Sequence, residues 1–79
     1  MAATGARISK RSVTIAGHRT SVSLETAFWD ELQRIAAIDG LSFNALVSRI
    51  DSERDEQHGN LSARLRVYVL EWLKRNPDR

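Results

Sequence analysis

The stretch Arg19-Thr20-Ser21-Val22-Ser23-Leu24-Glu25 alternates between two kinds of side chain. Thr20, Val22 and Leu24 share one parity and Arg19, Ser21 and Ser23 the other, and successive side chains of a strand point to opposite faces. The alternation predicts a strand whose apolar face rests on helices while a small, polar face looks outward. The period then changes. Phe28, Leu32, Ile35 and Ala36 follow the i, i+4, i+7, i+8 spacing of an amphipathic helix, predicted over about Glu25 to Ile38 with Ser23 as N-cap. Glu25 brings negative charge to the positive end of that helix, and Asp39-Gly40 supplies a left-handed stop.

Upstream, Ser12-Val13-Thr14-Ile15 is rich in β-branched residues and Gly17 can turn the chain, so Ser12 to Leu24 reads as one or two short strands. A lone strand leaves its backbone donors and acceptors unsatisfied. The partner is either Ser12–Ile15 folded back in the same chain or the same strand of a second subunit, and both pairings can coexist in one small sheet. Size favours the intersubunit pairing: a single core in so short a chain stabilises by only ~3–5 kcal/mol, and with no cysteine among the 79 residues no disulfide can add to it.

Downstream, Ser42 is a natural N-cap for a second helix striped by Phe43, Leu46, Val47 and Ile50, which runs into the acidic stretch Asp51 to Gln57. A third helix follows Asn60, with Leu61, Leu65, Tyr68, Val69, Trp72 and Leu73 as its stripe and Pro77 at its end. The division is a flexible basic arm over residues 1–11 and one domain over 12–79, its last helix covering about 61–75. The fold class is mostly α with a short β-ribbon.

The chain carries twelve basic and ten acidic residues, unevenly placed. Arg7, Lys10, Arg11 and Arg19 fall in the first twenty residues without an acid, the footprint of an arm that binds backbone phosphate. No apolar run approaches the ~20 residues that span a bilayer, and residues 1–10 lack the apolar core of a signal peptide, so a cytoplasmic protein is expected. His18 and His58 stand forty residues apart, with no metal-ligand spacing, phosphate loop or nucleophile and base around them, so neither an enzyme nor a cofactor is expected.

The order of these pieces resembles the ribbon-helix-helix family, the MetJ and Arc type of DNA-binding protein. The resemblance spans about Arg19 to Asp51, and its most specific part is Gly40-Leu41-Ser42-Phe43-Asn44 placed after a helix with the Phe28-Trp29, Leu32, Ile35-Ala36 pattern. Lys10-Arg11-Ser12-Val13-Thr14-Ile15, Gly17-His18 and Gly59-Asn60-Leu61-Ser62 are similar to a short, mostly uncharacterised bacterial subgroup. The resemblance implies strand-helix-helix subunits in an intertwined homodimer, here with a third C-terminal helix. It implies that an antiparallel ribbon formed between the two subunits enters the major groove of double-stranded DNA, with Arg19, Ser21 and Ser23 at the base-reading positions. Arg19 can donate to guanine in bidentate fashion, whereas a serine hydroxyl both donates and accepts and discriminates less sharply.

The resemblance further implies a DNA phosphate on the second helix N-terminus, at Ser42, Phe43 and Asn44, where free amides and the helix dipole suit an anion. Lys10 and Arg11 add phosphate contacts. Phe28, Trp29, Leu32, Leu46, Val47 and Ile50 are expected in the core or the dimer interface. Asp51, Glu53, Asp55 and Glu56 would repel DNA and are expected to face away from it. The function implied is a transcriptional regulator, with association of dimers on DNA left open. The alternative is a protein-interaction adaptor, including an antitoxin-like one, that offers the third helix to a partner.

Overall fold

Ala16 and Gly17 both adopt positive φ, 52° and 81°, and reverse the chain in two residues. A turn with two such residues matches the twist of antiparallel strands, so it fixes a hairpin. The computed structural model describes residues 3–53 and 60–77. Its elements are a single helical turn α1 (Ala3–Ala6), strands β1 (Ile8–Ile15) and β2 (His18–Glu25), and helices α2 (Thr26–Ile38), α3 (Phe43–Ser52) and α4 (Leu61–Arg75). The two strands pair antiparallel along their whole length, from Ile8 opposite Glu25 to Ile15 opposite His18. Thr26 N–H carries the ladder one step further by donating to the Arg7 carbonyl at 2.8 Å.

β2 pairs with β1 of its own chain, one of the two pairings expected, because the Ala16-Gly17 turn places β1 alongside it. Two expectations change here. β1 begins at Ile8, so the expected arm loses residues 8–11 to the sheet. Ser23 lies inside β2 and caps nothing: the N-cap position of α2 is Glu25, whose side chain makes no cap hydrogen bond.

The other helix starts follow from their side chains. Ser42 Oγ accepts from Ala45 N–H at 3.0 Å and Asn60 Oδ1 from Ala63 N–H at 2.9 Å, each satisfying one first-turn donor. Gly40, at φ 72°, turns the chain out of α2.

β1, β2, α2, α3 and α4 send side chains into one core. Val13 comes from β1, Val22 and Leu24 from β2, Trp29, Leu32, Ile35 and Ala36 from α2, Leu46, Val47 and Ile50 from α3, and Leu65, Val69 and Trp72 from α4. The third predicted helix therefore packs on its own chain's helices and sheet. Leu32, Ile35 and Ala36 of the predicted stripe are buried, Trp29 joins them in the core, and Phe28 is half-buried against it.

Two variants test this account by thermal or chemical denaturation. Trp29→Ala should cost about 3–5 kcal/mol of stability. Ala16→Asn should stabilise by about 0.5–1 kcal/mol, since asparagine accepts the left-handed conformation that alanine resists.

Candidate nucleic-acid interface

The hairpin has one face without core contacts. Side chains directly opposite each other in an antiparallel pair lie on the same face, so the register puts Thr14 beside Arg19, Ser12 beside Ser21, and Lys10 beside Ser23. All six are exposed. The reading positions implied by the sequence thus sit together on one surface, and β1 adds three side chains to it. Lys10, expected at phosphate, shares this face with Ser23. The face carries two cations and no acid until Glu25, at the far end of the ribbon opposite Ile8.

Glu25 itself is engaged. Arg66 Nε of α4 donates to its Oε1 at 2.9 Å, and that hydrogen bond, with backbone hydrogen bonding and the nearby guanidinium charge, holds the carboxyl below its usual range. The same guanidinium lies 6.0 Å from the centroid of the Phe28 ring.

Arg11 belongs to the opposite face. Its guanidinium lies over the Trp29 ring, 5.2 Å from the centroid, on the side of the sheet that meets α2 and α3. Trp29 Nε1 donates to the Ser9 carbonyl at 2.9 Å, and its ring is tilted against Phe43 at 5.7 Å. This chain of contacts sets the α3 N-terminus beside β1 and on the same side as Arg11. There Ser42 and Asn44 are exposed and Phe43 is half-buried. Ala45 and Leu46 amides are taken by Ser42, while among the described residues no acceptor meets the N–H of Phe43 or Asn44. Two free amides at the positive end of a helix can hold a phosphate oxygen.

The edges of the ribbon differ. Ser62 Oγ of α4 donates to the Ser23 carbonyl at 3.2 Å, so that carbonyl points away from β1. Backbone groups of alternate residues point to the same edge. Ser21 and Arg19 therefore also turn their N–H and C=O outward, with no partner strand among the described residues. His18 stands exposed at the start of β2, while Asp55, Glu56 and His58 lie outside the described residues.

Sequence reasoning missed Ser12 and Thr14 on this face. A two-residue turn at Ala16-Gly17 would have given them, because it aligns Ile15 with His18 and fixes every pair behind it.

A family model for a ribbon-helix-helix domain matches residues 8–73. The fold is similar to the solved structure of an uncharacterised protein from Bordetella pertussis Tohama I, with 32% sequence identity and a TM-score of 0.81. The match covers 95% of this chain and 62% of that one. No curated protein matches.

The lowered Glu25 carboxyl fixes a pH dependence. Its contribution to stability is complete above the ordinary carboxylate value of 4.5 and is lost as pH falls through the lower folded-state value. Thermal melts should therefore show wild type above Glu25→Gln at pH 6, with the gap closing in the acid range and shrinking in high salt.

Proposed function

The chain belongs to the ribbon-helix-helix domain family, and on that footing we propose that it is a homodimeric DNA-binding protein of the bacterial cytoplasm that regulates transcription. The observation that carries this reading is the outward face of the hairpin: Lys10, Ser12, Thr14, Arg19, Ser21 and Ser23, all polar or basic, all exposed, aligned in three cross-strand pairs. A two-stranded ribbon with about 5 Å between strands fits the major groove, which is about 12 Å wide. Arg19 reads a guanine edge, and Ser21 and Ser23 make weaker, less selective contacts. Phosphates lie against the free Phe43 and Asn44 amides beside the Ser42 cap, with Arg11 on the same side and Lys10 at the ribbon margin. Each chain carries its own two-stranded ribbon, and a dimer presents two to the paired half-sites of a palindrome.

No described helix is long and apolar enough to cross a membrane, which is compatible with this location.

Binding to random duplex DNA, followed by fluorescence anisotropy across a salt series, tests the reading. Affinity should fall steeply as salt rises, with a log–log slope near −0.9 per phosphate neutralised. Arg19→Ala should weaken binding about tenfold or more and leave the circular dichroism spectrum unchanged. Absence of binding by the folded protein at about 50 mM salt, where phosphate contacts are strong, would overturn it.

A further inference from the structure

The register decides which backbone groups of β1 stay open. Thr26 N–H donates to the Arg7 carbonyl, so Arg7 and Thr26 are a hydrogen-bonded pair, and in an antiparallel ladder every second residue from there, Ser9, Arg11, Val13 and Ile15, bonds to β2. Lys10, Ser12 and Thr14 therefore turn their N–H and C=O groups away from β2, along the free edge of β1. No strand pairs with that edge among the described residues, and no acceptor there meets these three N–H groups. The side chains of the same three residues stand exposed on the outward face. Each of them thus offers a backbone donor at the edge and a side-chain donor on the face beside it.

We infer that β1 is the strand that runs along the DNA backbone: the amides of Lys10, Ser12 and Thr14, with the Ser12 and Thr14 hydroxyls and the Lys10 ammonium, hold successive phosphates of one DNA strand and leave the base edges to β2. The inference rests on the DNA-binding reading above and gives Ser12 and Thr14 a role in it.

Position, charge and spacing all point to this side of the hairpin. α3 packs against β1 and α4 against β2, so the free Phe43 and Asn44 amides lie on the β1 side, and a phosphate held there brings its own DNA strand alongside β1. Lys10 and Arg11 stand on β1 and Arg7 just before it, and no acid precedes Glu25 in the chain. The β2 edge is partly taken instead, by the Ser62 hydroxyl of α4 on the Ser23 carbonyl. Alternate residues of a strand repeat at about 6.8 Å, close to the separation of neighbouring phosphates along one DNA strand, so a ribbon lying along the groove can meet one phosphate at each of the three residues. A phosphate at the corner between edge and face reaches both donors of a serine or threonine. Lysine on an open edge also discourages pairing with another strand, which keeps the edge free for a ligand.

Fluorescence anisotropy with two duplexes, one containing guanine and one of A·T pairs alone, tests this, with circular dichroism to confirm that each variant folds. Ser12→Ala combined with Thr14→Val, both at exposed positions, should weaken binding about fivefold or more, and by the same factor on both duplexes. Arg19→Ala should instead lose more on the duplex that contains guanine. Lys10→Gln should lower the log–log salt slope by about one. Ser12→Pro removes an N–H from the open edge without touching the ladder, and should weaken binding beyond Ser12→Ala; the double variant keeps the test decisive if the proline unfolds the hairpin. A folded double variant that binds both duplexes like wild type overturns the inference and leaves DNA binding through β2 and α3 standing. A loss confined to one duplex also overturns it and makes β1 a reader of bases. A folded Ser12→Pro protein that falls from two chain masses to one by light scattering makes the β1 edge a subunit interface and overturns the phosphate assignment. Wild type that binds neither duplex overturns the inference together with the DNA-binding reading.

Discussion

Trp29 joins the parts of this molecule that a function at the ribbon requires. Its ring is fully buried between the sheet and α3, its indole N–H is satisfied by the Ser9 carbonyl of β1, one side meets Phe43 at the start of α3, and the Arg11 guanidinium lies over it. A buried indole must place its N–H on an acceptor, and the one it finds is backbone of the strand opposite β2. That bond fixes the hairpin to the helical layer. The Phe43 contact fixes the α3 N-terminus to the same point, so the ribbon and the anion-accepting helix end are set relative to each other by one side chain.

A second consequence is that the core closes within a single chain. β1 supplies the strand that β2 needs, and α4 supplies the apolar cover that a two-helix domain of this size lacks. Thirteen residues from five elements are at most 7% exposed, with no polar or charged side chain buried among the described residues. The β1–β2 hairpin is therefore formed within a single chain, and on the proposed reading DNA need not order it, which removes an entropic cost from association. The same face is chemically plain: serine and threonine with one arginine and one lysine. On the proposed DNA-binding reading, affinity on such a face comes from phosphate charge more than from base edges, and discrimination concentrates at Arg19.

Much of this was legible in the sequence where the period was clean. The alternation over Arg19 to Leu24, the Ser42 cap and the three helices follow from side-chain spacing alone. The first strand was partly hidden because two of its inward positions are Ser9 and Arg11, a serine under the tryptophan and a cation over its ring, so no apolar alternation announces it. Ser23 looked like a cap because caps are read from residue type, whereas the backbone donor of Thr26 is satisfied by the Arg7 carbonyl through tertiary pairing. The assignment of Arg11 to the phosphate set did not foresee its place on the inner face, since strand parity is visible only once the register is known. Trp29 is the inner of the two aromatics of α2 and Phe28 is half-buried against the core, an ordering that the spacing of Leu32, Ile35 and Ala36 alone does not settle.

The central claim is that the outward face of the hairpin and the α3 N-terminus together hold DNA. The most direct measurement is a titration of the ¹⁵N-labelled protein with a short duplex, followed amide by amide by NMR. The account predicts shifts concentrated at Lys10, Ser12, Thr14, Arg19, Ser21 and Ser23 and at the free amides of Phe43 and Asn44. Shifts confined to α2 or α4, with the hairpin silent at saturation, would contradict it.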